Sequence, residues 1–209
     1  MSIRPWTALI ALAFLATPAL ADYGSAKPDL PAPASTNPPG NPQAEGQPLT
    51  ARQQAEQYYR DAYGDVVKGS KDAADGKAKN AEKKFRHALE SCRSAVGLDS
   101  TYSEAWNLIG FTSRKLGDYP HSFEAYRVAL RQKPDFALAR EYYGEGLLET
   151  GDLAGAKQQL TWLQRIGDKA MTAELQAAIG RYEAAHPDNT AHADSTAHPD
   201  STASTTAGK

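Results

Sequence analysis

The chain has 209 residues and a formal net charge of −2, with 23 basic side chains, 25 acidic side chains and one cysteine. This balance argues against nucleic acid or an anionic membrane surface as the main partner. The sequence contains no phosphate-binding loop, CxxC pair or metalloprotease helix, so we expect neither a catalytic site nor a cofactor.

Residues 1–21 have the composition of a secretory signal peptide. Arg4 precedes an apolar run from Trp6 to Ala16, and Ala-Leu-Ala at 19–21 fits a cleavage site. A membrane anchor is the alternative, but the run is shorter than the ~20 residues that a spanning helix needs. We expect cleavage after Ala21, a periplasmic or secreted mature protein, and no stable membrane insertion after cleavage.

Residues 22–49 are expected to form a disordered spacer rich in proline. Seven of the thirteen prolines lie between Asp22 and Pro48, and Leu30 is the only sizeable aliphatic residue there. Such a segment buries too little apolar surface to offset the entropy lost on ordering. A docking ligand is the alternative, but the prolines lack flanking aromatic or basic anchors, so the composition favours a spacer.

The first predicted helix begins after Thr50, which has Gln53 at the capping-box spacing. We expect this helix to run from about residue 51 to 67, with an apolar side formed by Tyr58, Tyr59, Ala62, Tyr63, Val66 and Val67. Residues 68–80 are predicted to form a long turn. A second helix is expected from about residue 78 to 96.

Residues 103–136 carry the clearest pattern in the chain. Apolar residues recur at helical spacing in two runs, which predicts two helices. Gly117 can adopt the left-handed conformation that ends the first helix, and Pro134 stops the second. The defining positions are Trp106, Ile109, Gly110, Gly117, Asp118, Tyr119, Tyr126, Ala129 and Pro134.

The pattern returns 34 residues later, in residues 137–170, with Arg140 at the tryptophan position. The recurring positions there are Tyr143, Gly144, Leu147, Gly151, Asp152, Leu153, Ala156, Leu160 and Leu163. Thirty-four residues earlier, only the second half recurs, at Phe85, Ala88, Cys92, Ala95 and Leu98. The register places Cys92 on an inward face, where cysteine behaves as a small apolar side chain.

These units resemble the tetratricopeptide repeat (TPR) family, whose 34-residue unit reads W-x2-L-G-x2-Y, A-x3-F and P. Ser113 and Ser122 depart from it, standing where tyrosine and alanine are usual. The resemblance implies an all-α, right-handed α-solenoid of about three TPR-like helix pairs plus a C-terminal capping helix. Its clear repeats are residues 103–136 and 137–170, and its degenerate repeat is about 51–102.

The helical domain, residues 50–185, is expected to end in a capping helix at 169–185, because the end of a solenoid needs a polar outer face. Residues 186–209 form a low-complexity tail of His, Asp, Ser and Thr, predicted to be disordered. Its histidines recur every six residues with aspartates and are weak candidates for a metal site: His186, His192 and His198. A plain hydrophilic tail is the favoured interpretation.

The family resemblance implies a concave groove lined by the first helix of each pair. By analogy its residues are Asn107, Phe111, Arg114, Lys115, Glu141, Tyr142, Glu145 and Leu148. Glu141, Glu145 and Glu149 lie four residues apart, so they share one helix face. That face is either part of a groove for a partner segment with cationic and apolar groups, or a solvated surface.

We therefore expect a non-catalytic protein–protein interaction scaffold of the bacterial periplasm, whose groove binds another protein or peptide segment of an envelope complex. The alternative is a metal-binding or metal-delivery protein that uses the His/Asp tail. His87 and His121 have no obvious Asp or Ser partner in local spacing, and we expect both at helix surfaces or turns.

Overall fold

The computed structural model describes residues 48–187, so the predicted signal peptide, the spacer up to residue 47 and the tail from residue 188 lie outside the described residues. Within this range the chain forms helices and no strand. The helices are α1 (Ala51–Ala74), α2 (Ala78–Leu98), α3 (Ser103–Lys115), α4 (Tyr119–Gln132), α5 (Ala137–Glu149), α6 (Leu153–Ile166) and α7 (Lys169–Ala185).

The helices pack as three sequence-adjacent pairs, α1 with α2, α3 with α4 and α5 with α6, and α7 packs on the last pair. The first helices of successive pairs also touch, because α1 contacts α3, α3 contacts α5 and α5 contacts α7. We call α1, α3, α5 and α7 the first-helix layer. The predicted all-α solenoid of three helix pairs with a terminal helix is confirmed.

Glycine and aspartate form equivalent turns in the second and third pairs. Gly117 and Gly151, 34 residues apart, have φ of 78° and 86°, in the left-handed region where a Cβ is disfavoured. The next residues, Asp118 and Asp152, accept a hydrogen bond from the backbone N–H three residues on, at 3.4 Å and 2.8 Å. These contacts end one helix and cap the next, as the pattern predicts.

The first pair is longer than predicted, and the prediction of a long turn over residues 68–80 is wrong. Helix α1 continues to Ala74, so the turn shrinks to residues 75–77, and Gly76 adopts φ of 73°. Gly69 lets the two helices stay close, because a Cβ there would lie 3.1 Å from Lys84 Cβ and from the Phe85 ring. Tertiary packing here overrides the low helix propensity of Lys68-Gly69-Ser70.

The N-terminus of α1 has the predicted capping box. The Gln53 backbone N–H donates to Thr50 Oγ1 (3.2 Å), and the Thr50 backbone N–H donates to Gln53 Oε1 (2.9 Å). The predicted apolar side is only partly buried, because Tyr58 and Val67 are exposed. The residues that enter the core are Tyr59, Ala62 and Val66.

The terminal helix α7 packs against Gly144 of α5. The repeat pattern predicts that the partner helix α6 packs there instead. In the second pair, a Cβ on Gly110 would lie 2.5 Å from the ring of Tyr126, on the partner helix α4. In the third pair, a Cβ on Gly144 would lie 2.6 Å from Leu175, which belongs to α7 rather than α6. Helix α7 therefore packs closely against Gly144 of α5, as α4 packs against Gly110 of α3 one repeat earlier.

Along residues 48–187, we find no helix that combines the length and the apolar character required to cross a membrane.

Candidate functional site

The predicted groove residues lie on α3 and α5, in the first-helix layer, but most of them are covered by the chain itself. Lys115 and Glu145 are half-buried. The other six are buried: Asn107, Phe111, Arg114, Glu141, Tyr142 and Leu148. A partner therefore reaches the rim of this region first.

At the centre of the region, one arginine on α3 faces three glutamates on α5. Arg114 Nη2 donates to Glu145 Oε2 and Nη1 donates to Glu149 Oε1, both at 2.9 Å, and the arginine side chain is only 1% exposed. We call Arg114, Glu141, Glu145 and Glu149 the Arg114 cluster. The shared face of the glutamates was predictable, but it turns toward α3, so the expectation of a solvated surface is wrong.

The pKa values of Glu141 and Arg114 are both raised, for different reasons. Burial of Glu141 and the neighbouring Glu145 outweigh the attraction of Arg114, and the pKa of Glu141 is raised well above 4.5. Burial opposes the charge of Arg114, but the Tyr126 phenol and the carboxylates favour it, and the pKa of Arg114 is raised. The site thus favours the neutral form of Glu141 and the charged form of Arg114.

An aromatic wall adjoins the cluster. The ring centroids of Phe111 and Tyr142 are 5.1 Å apart, and Arg114 Cζ lies 5.8 Å and 5.7 Å from them. Lys115 Nζ lies 5.5 Å from the Phe111 ring. Cations at these distances from aromatic rings are attracted by the ring quadrupole. The structure thus brings together apolar and charged residues that the groove prediction named as one set.

Several buried polar atoms in this region find no hydrogen-bond partner among residues 48–187. They are Asn107 Oδ1, Arg114 Nε, Tyr126 OH, Glu141 Oε2 and Tyr142 OH. Leaving one such atom unpaired costs about 1–3 kcal/mol, and native proteins keep few of them. Sequence reasoning could not find them, because each depends on contacts between separate helices.

Both histidines contact an aspartate and have exposed side chains, as expected for helix surfaces or turns. The expectation of no partner in local spacing is wrong for His121, whereas His87 finds its aspartate on another helix. His87 Nδ1 pairs with Asp65 on α1, which also accepts a hydrogen bond from Lys84 Nζ at 2.9 Å. His121 Nδ1 lies 2.7 Å from Asp118 Oδ2. Burial opposes ionisation of Asp65, but the hydrogen bonds from Lys84 and His87 prevail and lower its pKa.

Cys92 is buried, as the register predicts, and burial raises the pKa of its thiol. The part of the chain that the structure describes contains no group of three or more His, Cys, Asp or Glu residues placed to hold a metal ion. His186 Nδ1 donates to the carbonyl of Tyr182 at 2.9 Å. His192 and His198 lie outside the described residues, so the tail metal site stays a prediction.

A comparison with protein-family models found no match along the chain, and a search of curated proteins found none either. The TPR resemblance therefore stays a prediction from the residue pattern.

Proposed function

We propose that this chain is a non-catalytic, TPR-like interaction scaffold, exported to the periplasm, that holds a segment of another protein against α3 and α5. The observation that carries the proposal is the set of unpartnered buried polar atoms in the first-helix layer, around the Arg114 cluster. Native proteins keep few such atoms, so each one calls for an explanation. A bound segment would supply the missing partners.

The accessible edge of this region is suited to first contact with a partner. Lys115 is half-buried, and the side chains of Glu145 and Glu149 keep 13% and 14% of their exposure. Both signs of charge thus reach solvent beside an aromatic wall. Charged rims of this kind steer association and select among partners.

Affinity purification from an envelope extract, with four forms of the protein, tests the proposal. We expect the intact chain and a form truncated after Pro187 to retain the same partner. Lys115→Glu changes the rim of the site and should lose the partner. Arg131→Glu is the matched control and should keep it, because Arg131 is an exposed residue of α4, outside the first-helix layer.

Loss of capture on truncation after Pro187, or equal capture by both charge variants, would contradict the proposed scaffold. Metal delivery by the tail makes a different prediction for the same truncation. That function requires tight binding of Zn, Ni or Cu ions by the intact chain and the loss of this binding when residues 188–209 are removed.

A further inference from the structure

Among the unpartnered atoms around the Arg114 cluster, more can accept a hydrogen bond than can only donate one. Asn107 Oδ1 can only accept, and Glu141 Oε2 accepts when the carboxyl group is ionised. The Tyr126 and Tyr142 hydroxyls can donate or accept. Arg114 already gives one N–H to Glu145 and one to Glu149, and of its atoms only Nε lacks a partner within residues 48–187. The missing group is therefore one with several N–H donors.

The charge of the region also favours a cationic ligand. One guanidinium faces three glutamate side chains, and the charge of Glu174 on α7 also acts on Glu141. The rings of Phe111 and Tyr142, which already lie beside Arg114, can face a second cation.

We propose that the Arg114 cluster is a pocket for one basic side chain, an ammonium or a guanidinium, of the bound partner. This inference rests on the proposed function and assigns the chemistry of the group that is bound. The cation donates to Glu141 Oε2 and Tyr142 OH. Asn107 holds on α3 the position that Glu141 holds on α5, and its Oδ1 also lacks a partner within residues 48–187.

Entry of the cation requires the rim to move. The unpartnered atoms are covered in the unbound protein, whereas the Glu145 and Glu149 side chains are partly exposed at the edge. An outward shift of these two side chains is the opening that the proposal requires.

Binding of a cation and ionisation of Glu141 favour each other. In the unbound protein, burial and the neighbouring Glu145 raise the pKa of Glu141. A cation at Oε2 favours the carboxylate and lowers that pKa. Calorimetric titrations in two buffers with different ionisation enthalpies should show proton release on binding.

Butylammonium chloride is the probe, with sodium chloride at equal ionic strength as the reference. We expect butylammonium to raise the Tm of the intact protein in a saturable manner. Glu141→Gln keeps the shape of the protonated side chain and should weaken this effect at least tenfold. Glu124→Gln on α4 is the control and should leave it unchanged, because Glu124 is exposed and pairs with Arg127 (3.0 Å).

An absent or non-saturable Tm shift in the intact protein, or an equal shift in Glu141→Gln, would overturn the pocket assignment. The scaffold and the pocket can fail separately. Equal partner capture by the intact protein and Glu141→Gln removes the pocket and leaves the scaffold. Butylammonium binding without any partner capture at Lys115 removes the scaffold and leaves the pocket.

Discussion

Trp106 and Arg140 stand 34 residues apart and make the same contact with different side chains. Trp106 Nε1 donates to the carbonyl of Ser100 at 2.9 Å, and Arg140 Nε donates to the carbonyl of Pro134 at 3.0 Å. Each acceptor lies six residues before its donor. Both bonds fasten the start of a first helix to the end of the preceding pair, so the arginine replaces the tryptophan in this role.

Arg140→Ala should lower the free energy of unfolding by about 1–3 kcal/mol, because it removes the charged donor of a part-buried hydrogen bond. Arg140 also donates to Gln159 (3.1 Å) and lies over Trp162, with Cζ 4.3 Å from the ring centroid. Chemical denaturation measures the loss. Arg165→Ala removes the other cation near Trp162 from an exposed site, and should change stability by less than about 0.5 kcal/mol.

If Arg140→Ala were as neutral as Arg165→Ala, the hydrogen bond to Pro134 would have no structural role. The equivalence with Trp106 would then rest on spacing alone.

Two of the glycines in the first-helix layer should respond differently to alanine. Gly110→Ala should cost about 1–3 kcal/mol, since its Cβ would lie 2.5 Å from the rigid Tyr126 ring. Gly144→Ala should cost less, because the clash is with the flexible end of Leu175. Gly64→Ala on α1 is the control and should stabilise by about 0.5–1 kcal/mol, as its Cβ meets nothing within 4 Å.

Adding Leu175→Ala to Gly144→Ala should recover part of the loss, which a double-mutant cycle measures. Strict additivity would show that the two residues do not touch. A smaller cost for Gly110→Ala than for Gly144→Ala would contradict the assigned contacts.

The second and third helix pairs could be predicted from sequence, because their turns are fixed locally. Gly117 and Gly151 end a helix by left-handed geometry, and the aspartate that follows each caps the next. The length of the first pair could not be predicted. Glycine is common in turns, so the sequence favours a turn at Gly69. The close approach of Gly69 to Phe85 on α2 explains why the helix continues there.

The candidate site was predictable only in part. The spacing of Glu141, Glu145 and Glu149 defines one helix face from sequence. Their partner Arg114 lies 31 and 35 residues before the two glutamates that it contacts, so pairing depends on how α3 and α5 stack. The sequence predicted an open groove surface. In the structure, most of the residues named for it are buried, and they include an internal polar cluster with a narrow exposed edge.

Arg114→Met should destabilise the protein by about 3–5 kcal/mol, because it leaves buried carboxylates without their counter-ion. Adding Glu145→Gln should restore part of the loss, with a coupling energy of about 0.5–3 kcal/mol. Arg86→Met is the control, since Arg86 and Glu82 form an exposed pair at 2.7 Å, and exposed pairs contribute about 0–1 kcal/mol.

The same cluster determines what reversal of Glu141, Glu145 and Glu149 to lysine would do. The variant would surround buried Arg114 with like charges, so we expect loss of helicity as well as loss of binding. A folded triple variant with native circular dichroism would contradict the ion pairing described for Arg114.

Glu141 should make the protein less stable as pH rises. Its pKa is raised in the folded state, so the folded protein binds more protons above the ordinary value of 4.5. The stabilisation from its protonated form is present below that value and is lost as pH rises through the folded pKa. Denaturation at several pH values should show Glu141→Gln gaining stability relative to the intact chain as pH increases.

Asp65→Asn supplies a comparison of opposite sign. The pKa of Asp65 is lowered, so its stabilising effect is present above the ordinary value of 3.8 and is lost as pH falls through the folded pKa. Asp65→Asn should therefore lose stability relative to the intact chain as pH rises through that range. Parallel pH profiles for Glu141→Gln and the intact protein would contradict the raised pKa of Glu141.

The most direct test of the scaffold is position-resolved photocrosslinking in cells. Phe111 and Tyr142 are 3% and 7% exposed, so the photoreactive residue belongs at Lys115 on the rim, with Arg131 on α4 as the control position. Our account predicts saturable capture of one partner at Lys115 and none above background at Arg131. Equal yields at the two positions, or capture at neither, would contradict partner binding by α3 and α5.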